Sequence, residues 1–166
     1  MPAKGTPAID VVRRAGVGFE VLTYDPPEHH GRERDERPSY GLEAAAALGV
    51  DPATMFKTLI ATVDERLVAA LVPVDRELDL KRLAAAAGAR RAALAGSADA
   101  ERATGYVVGG ISPLGGRRRL TTFIDATALE HHTVLVSAGR RGLQLAVAPA
   151  DLVRLTSATV AVLGRA

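Results

Sequence analysis

Thr104-Gly105-Tyr106-Val107-Val108-Gly109-Gly110-Ile111-Ser112-Pro113-Leu114-Gly115-Gly116-Arg117-Arg118-Arg119 is the stretch whose reading decides the fold. It holds five glycines and one proline and closes on a basic triplet. Glycine permits backbone conformations and close approaches that a side chain would block. Tyr106, Val107 and Val108 read as a strand-like piece delivering the chain into a loop. Thr121 to Asp125 reads as the strand that leaves it. One reading is a wide turn between two strands with a solvated basic end. The other is a loop whose bare backbone lines a ligand pocket, with the arginines holding a phosphate chain nearby.

On the N-terminal side, Thr6-Pro7 marks a helix start, with Ile9, Val12 and Ala15 on one face and Gly16 as its stop. Phe19 to Tyr24 alternates as a strand. Residues 25–38 are polar and proline-flanked and read as a surface loop. Ser39 caps a helix through Leu48, ended by Gly49, and Asp51-Pro52 starts a short helical turn. Phe56 to Val63 reads as a strand, with Lys57 on the face of Leu59, Ala61 and Val63. Asp64-Glu65 turns into a second strand, Leu67 to Val72. Asp79 caps a helix from Leu80 to Ala87, Arg91 to Leu94 is a short strand, and Ser97 caps a helix that stops near Gly105.

Beyond the glycine stretch, Ala126 to Glu130 is a helical turn, and His131-His132 begins a strand. Val134 to Ser137 and Leu143 to Val147 are strands joined by Ala138-Gly139-Arg140-Arg141-Gly142. Pro149 opens a last helix to about Leu155, and Ala158 to Leu163 forms a final strand. This order favours an α+β (mixed α/β) architecture with a curved, mostly antiparallel sheet flanked by helices. Whether the sheet closes into a barrel stays open. At 166 residues the chain reads as a single domain over 1–166, with length enough for a core.

Aromatics are only 4% of the chain, so the core is aliphatic. Without cysteine there is no disulfide framework and no protein thiolate. No apolar run is long enough to span a membrane. Lys4, Asp10, Arg13 and Arg14 interrupt any signal-peptide core, and the expected location is the cytoplasm. Net charge is only +2, so basic clusters say more than the total: Arg90 with Arg91, Arg117 to Arg119, and Arg140 with Arg141. Each reads either as a solvated face or as a phosphate contact.

Lys57 is the first functional candidate. Its stem either snorkels along the sheet edge, or its ammonium stands at a pocket mouth and holds a carbonyl, phosphate or ribose oxygen. There is no nucleophile elbow, HExxH pair or phosphate-binding P-loop, and the glycine spacing does not fit a dinucleotide fingerprint. His29-His30 and His131-His132 have poor spacing for a metal, and none is expected. Ser112 and Ser137 lack an evident His or Asp partner.

Phe56-Lys57-Thr58-Leu59, the stretch from Thr104 to Gly115, and Val136-Ser137-Ala138-Gly139-Arg140-Arg141-Gly142-Leu143 resemble the YbaK/EbsC family. These are free-standing aminoacyl-tRNA deacylases related to the editing insertion of bacterial prolyl-tRNA synthetases. The resemblance runs nearly end to end and includes Leu78-Asp79-Leu80-Lys81. It implies a barrel-like mixed sheet flanked by helices, and a pocket for the aminoacyl-adenosine end of misacylated tRNA. By that resemblance Lys57, Gly109 and Gly110 are the catalytic set. Tyr24, Tyr40, Thr58, Ile111, Ser112, Pro113, Ser137 and Gly139 bind substrate. Arg117, Arg118, Arg119, Arg140 and Arg141 are candidates for tRNA phosphates. The implied substrate is Cys-tRNA(Pro), its own thiol attacking the ester, with Ala-tRNA(Pro) or another small residue cut by water as the alternative. A non-catalytic tRNA- or synthetase-binding module is the reading from another class. Prolyl-tRNA synthetase is an implied partner, and no cofactor or metal is implied. The chain departs from the family pattern at Ala138, where many relatives have glycine, and at Gln144, where the best-known members have an acidic residue. The loop at 25–38 is also longer and more charged.

Overall fold

A computed structural model describes residues 5–26 and 40–166. His29, His30, the cap expected at Ser39 and most of the expected 25–38 loop lie outside the described residues. Helix α1 (Pro7–Ala15) starts at Thr6, whose hydroxyl accepts the Ile9 N–H at 3.2 Å, and ends at Gly16 with φ 70°. Proline costs nothing in the first turn, where its missing N–H would have had no helical partner. β1 (Phe19–Thr23) and α2 (Tyr40–Leu48) follow, and a 3-10 turn at Pro52–Thr54 is capped by the Asp51 side chain.

β2 (Phe56–Val63) and β3 (Arg66–Pro73) form the expected hairpin, in register from Phe56–Pro73 to Val63–Arg66. Its two turn residues, Asp64 and Glu65, take φ of 45° and 76°, the twist a two-residue hairpin needs. The Asp64 carboxylate accepts the Arg90 and Arg91 N–H groups, which hold its pKa below the usual value. Next come β4 (Glu77–Leu78), α3 (Leu80–Ala86) capped by Asp79, β5 (Ala92–Leu94) and α4 (Ser97–Thr104). β6 (Thr121–Asp125) passes through a 3-10 turn, Ala126–Glu130, to β7 (Val134–Arg140) and β8 (Leu143–Val147). α5 (Pro149–Thr156), β9 (Thr159–Ala161) and β10 (Gly164–Arg165) complete the order.

The strands make a five-stranded sheet, β5-β2-β3-β6-β9, a three-stranded sheet, β1-β8-β7, and a short β10-β4 ladder. The smaller sheet is antiparallel throughout, as are β5–β2 and β2–β3. β3–β6 and β6–β9 are parallel, and both links contain helices, because parallel neighbours need a crossover. This is the α+β, mostly antiparallel architecture the sequence favours. The two larger sheets meet at one bridge, between Met55 and Leu135, and the described strands form no closed barrel. One aliphatic core joins α1 and α5 to the smaller sheet through Ile9, Val12, Val136, Leu145 and Leu152. A second packs Leu83 of α3 against Val63, Val68 and Val72. Leu59, Ala61 and Val63 share that second core, as their alternation requires.

Four local expectations are corrected. Tyr106 to Val108 is not a strand. Gly105 ends α4 at φ 78°, and Tyr106 then turns inward and donates its hydroxyl to the Leu114 carbonyl at 2.7 Å. The Val108 N–H goes to Glu101 Oε2 at 2.8 Å, so local groups take the bonds a neighbouring strand would have made. Ser97 is the first helical residue rather than the cap, a place held by Gly96. β7 runs on through Ala138 and Gly139 to Arg140, absorbing the extra residues as a bulge, so the turn shrinks to Arg141-Gly142. His131 and His132 lie in a bend before β7.

Candidate functional site

A cavity of about 380 Å³ opens between β2, the start of α2, α4, the glycine loop and the smaller sheet. Met55, Phe56, Ile60 and Val74 give it apolar lining. β2 places Lys57 and Thr58 on its wall, and β7 and β8 place the cross-strand pair Ser137 and Gln144 there. Tyr24, just past β1, and Tyr40, first in α2, also line it, as do Gly109 and Ile111 of the loop.

Lys57 is half-buried and is the one charged side chain among the described residues lining the cavity. Burial lowers its pKa from the ordinary 10.5, while the negative charges of Glu77 and Asp75 work in the opposite direction. Withdrawal from water disfavours the ammonium and strengthens its pull on any oxygen brought to it.

Thr58 owes its place on an open strand edge to where β5 stops pairing. β5 pairs with β2 only at Ala61, Thr62 and Val63, and one further bond runs from the Ala95 N–H to the Ile60 carbonyl at 2.9 Å. In an antiparallel ladder the backbone groups of alternate residues point to the same side. Thr58 therefore directs its N–H and C=O where Ile60 does, away from β3, and no described strand pairs with it there. The Thr58 hydroxyl oxygen is also buried without a hydrogen-bond partner, and so is Gln144 Oε1. They are the two such side-chain atoms among the described residues, and both belong to this cavity. Gln144 is 7% exposed.

The glycine loop divides the remaining candidates. Gly109 takes φ 94° and lines the cavity beside the Arg141 side chain. Gly110 faces the β7–β8 hairpin instead: a Cβ there would lie 2.5 Å from Arg140 Cα, and its N–H is bonded to the Val107 carbonyl. Gly139 also faces protein, since a Cβ on it would stand 2.9 Å from the Tyr106 ring. Ser112 and Pro113 line a second cavity of about 240 Å³, with Arg118 and Arg119. There Ser112 Oγ accepts the Leu114 N–H, and Arg119 donates to Ser157 Oγ at 3.0 Å. Arg117 packs beside Gly105. Arg140 and Arg141 stand by the first cavity, the Arg141 guanidinium 4.7 Å from the centroid of the Tyr40 ring.

The structure thus brings together Lys57, Thr58, Tyr24, Tyr40, Gly109, Ile111 and Ser137. It places Ser112, Pro113 and the Arg117–Arg119 triplet by the second cavity, and Gly110 and Gly139 in the supporting contacts. Gln144 is the residue that sequence reasoning noted only as a departure. The signal was available: Leu143, Leu145 and Val147 fill one face of β8, which sends Gln144 to the other. Among the described residues, no group of three or more His, Cys, Asp or Glu could hold a metal ion, and no helix is long and apolar enough to cross a membrane.

The α+β frame carries a lysine-bearing, partly apolar cavity beside the strand edge where β5 ends. The chain belongs to the aminoacyl-tRNA editing domain family, which residues 38–155 match, and is an enzyme of that class. A relative from Enterococcus faecalis, provisionally named Cys-tRNA(Pro)/Cys-tRNA(Cys) deacylase EbsC, is 38% identical over 115 residues. That alignment spans 68% of this chain and 70% of the relative. The crystal structure of hypothetical protein APE2540 superimposes with a TM-score of 0.83 at 26% identity, covering 96% of this chain and 100% of that one. The structure of a provisionally assigned trans-editing enzyme for prolyl-tRNA synthetase gives 0.79 at 23% identity, over 99% and 100% of the two chains, a likeness of fold alone.

Proposed function

We propose that this protein is a trans-acting deacylase that cleaves the ester of Cys-tRNA(Pro), its chain working as one editing domain in the cytoplasm alongside prolyl-tRNA synthetase. The observation that carries the reading is the cavity wall: a half-buried Lys57 beside Thr58, which lies beyond the last β2–β5 pair, on a partly apolar lining. Such a site suits the acylated end of a tRNA, with an ester to polarise and a small side chain to enclose.

In this reading Lys57 hydrogen-bonds the ester or its ribose oxygen. Negative charge grows on the carbonyl oxygen as the carbon becomes tetrahedral, and a partly desolvated ammonium favours that state over the ground state. Gly109 lets the loop backbone come close to the ester, and Gly110 shapes the loop from behind. Tyr24, Tyr40, Ile111 and Ser137 enclose the substrate. Ser112, Pro113 and Gly139 support the wall. Arg140 and Arg141 meet phosphates at the mouth, and Arg117, Arg118 and Arg119 meet them further along the acceptor end.

The nucleophile is the substrate's thiol. It loses its proton, its sulfur bonds to the ester carbonyl carbon, and the carbon–oxygen bond to the ribose breaks. The proton ends on the ribose oxygen, and a cyclic thiolactone leaves a free terminal hydroxyl on the tRNA. The protein supplies position and electrostatics. The chain's lack of cysteine is compatible with this route, because the sulfur comes from the substrate.

The test is release of labelled cysteine from preformed Cys-tRNA(Pro), with Ala-tRNA(Pro) as a second substrate. Wild type releases cysteine rapidly, and Lys57→Ala loses on the order of a hundredfold or more, the scale of removing one stabilising donor. Release of alanine without cysteine reassigns the site to a water-using deacylase for small residues. Release of neither returns the chain to a tRNA-binding role without turnover.

A further inference from the structure

We infer that Gln144 and Thr58 form a neutral seat for the uncharged α-amino group of the aminoacyl ester, so that this site takes its substrate as the free amine. The inference rests on the deacylase reading of the same cavity and adds the protonation state it selects.

Three observations point the same way. First, Gln144 Oε1 and Thr58 Oγ1 are buried acceptors without partners on the wall of one cavity. A buried polar atom without a partner costs free energy, and a ligand N–H relieves that cost. A neutral amine has two N–H groups, one for each oxygen. Second, no carboxylate lines the cavity among the described residues, so an ammonium would find no counter-ion there. Burying a charge without a partner is far more costly than burying a hydrogen-bonded neutral group. Third, the one charged side chain on the cavity wall among the described residues is already a cation. Lys57 of β2 lines the wall, and Arg141 of the β7–β8 turn lies beside Gly109 and Tyr40. Asp75 and Glu77, beyond β3, are the carboxylates that act on Lys57. Glu101 of α4 accepts the Val108 N–H. Tyr24 and Tyr40 complete the titratable groups of the lining. An α-amino group has an ordinary pKa of about 7.7–8.0. Both of its forms are therefore present near neutral pH, and selecting the neutral one costs little.

The experiment uses two non-hydrolysable probes with an amide in place of the ester: 3′-deoxy-3′-alanylamino-adenosine and its propionyl counterpart, which lacks the amine. Binding to the full chain is measured by calorimetry from pH 6 to 9. For wild type, affinity for the alanyl probe rises about tenfold per pH unit below the amine's own pKa and then levels, as release of one proton requires. The propionyl probe shows no such rise, which removes any titration of Lys57 from the comparison. Gln144→Met weakens the alanyl probe about tenfold, the scale of one lost buried hydrogen bond, and leaves the propionyl probe unchanged. Gln144→Glu shifts the best binding to lower pH, because a carboxylate pairs with the ammonium. Alanyl affinity that is flat or falls with pH overturns the inference. So does an equal loss of both probes in Gln144→Met, the mark of a structural role. If neither probe binds while the enzyme releases amino acid from tRNA, the seat is refuted and the deacylase reading stands. If release also fails, both fall together.

Discussion

Replacing glycines one at a time by alanine separates backbone strain from close packing in the glycine loop. Gly16 has φ 70° with nothing within 4 Å of an added Cβ, so Gly16→Ala reports strain alone. A non-glycine residue in the left-handed region costs about 1–2 kcal/mol. Gly110 has no positive φ, but its Cβ would lie 2.5 Å, 2.8 Å and 2.9 Å from Arg140 Cα, Arg140 C and Arg141 N. Backbone cannot rotate aside as a side chain can, so the whole β7–β8 turn must shift, at about 1–3 kcal/mol for an overpacked methyl. Gly115 carries both defects: φ 72°, and a Cβ 2.5 Å from the Pro7 carbonyl carbon at the start of α1. Gly115→Ala is therefore expected to lose about 2–5 kcal/mol, roughly the sum of the two costs. Urea midpoints at unchanged slope give the three values directly. Equal losses in all three variants would refute the claim that Gly110 and Gly115 are fixed by contact. Deacylation discriminates further, because Gly16 lines neither cavity while Gly110→Ala moves the β7–β8 turn that carries Arg141 beside Gly109.

Asp125 is 2% exposed and accepts from the Thr127 N–H and hydroxyl and from the N–H groups of Leu163 and Gly164. Burial raises its pKa, and these hydrogen bonds outweigh it, leaving the group below the ordinary 3.8. Its contribution is therefore complete above about pH 4 and is lost as pH falls through the lowered value. Asp125→Asn should unfold more easily at pH 7 and lose less on acidification than wild type; parallel melting curves at pH 7 and pH 3 would contradict this. Lys57 has the opposite character, since burial lowers its pKa and the folded chain carries the cost at every pH below that value. Lys57→Met should melt higher at pH 7 while losing activity, the gain shrinking toward pH 10.5; a lower melting temperature would refute it. Replacing Arg140 and Arg141 together by alanine should flatten the salt dependence of tRNA binding by a slope of about 1.4–1.8, two phosphate contacts' worth, and an unchanged slope would remove them from the tRNA path.

The elements with local causes were legible in the sequence. Thr6-Pro7 with Gly16, Asp51-Pro52, Asp64-Glu65 and Asp79 each carry their cap or turn chemistry within four residues, and each forms as read. Lys57 was legible because period two gave its face. What was not legible depends on distant partners. Tyr106 to Val108 have the composition of a strand, but Leu114 and Glu101 supply their bonds. The edge at Thr58 exists because β5 stops pairing after Ala61, Thr62 and Val63, which nothing near Thr58 in sequence announces. The loop glycines were read as one set, whereas their duties differ according to which wall each one meets.

Those duties converge on the first turn of α1, which lines no part of the first cavity. The Thr6 hydroxyl donates to the Ala138 carbonyl in the β7 bulge and accepts from Ile9, so one side chain both starts the helix and holds the bulge. Gly139, next in the bulge, packs against Thr6 and the Tyr106 ring, and Gly115 backs onto Pro7. Burial pushes the Tyr106 phenol up to about 12, so it stays protonated and keeps donating to the Leu114 carbonyl. The glycine loop and the bulge that follows Ser137 are thus fastened to the same helix start from opposite sides. That common anchor fixes the spacing between Gly109 and the Ser137–Gln144 pair, and β2 presents Lys57 and Thr58 to the same space. Under the proposed positional mechanism, the site depends on such spacing. The residues that hold it therefore include two glycines, a threonine and a tyrosine that line no part of the first cavity.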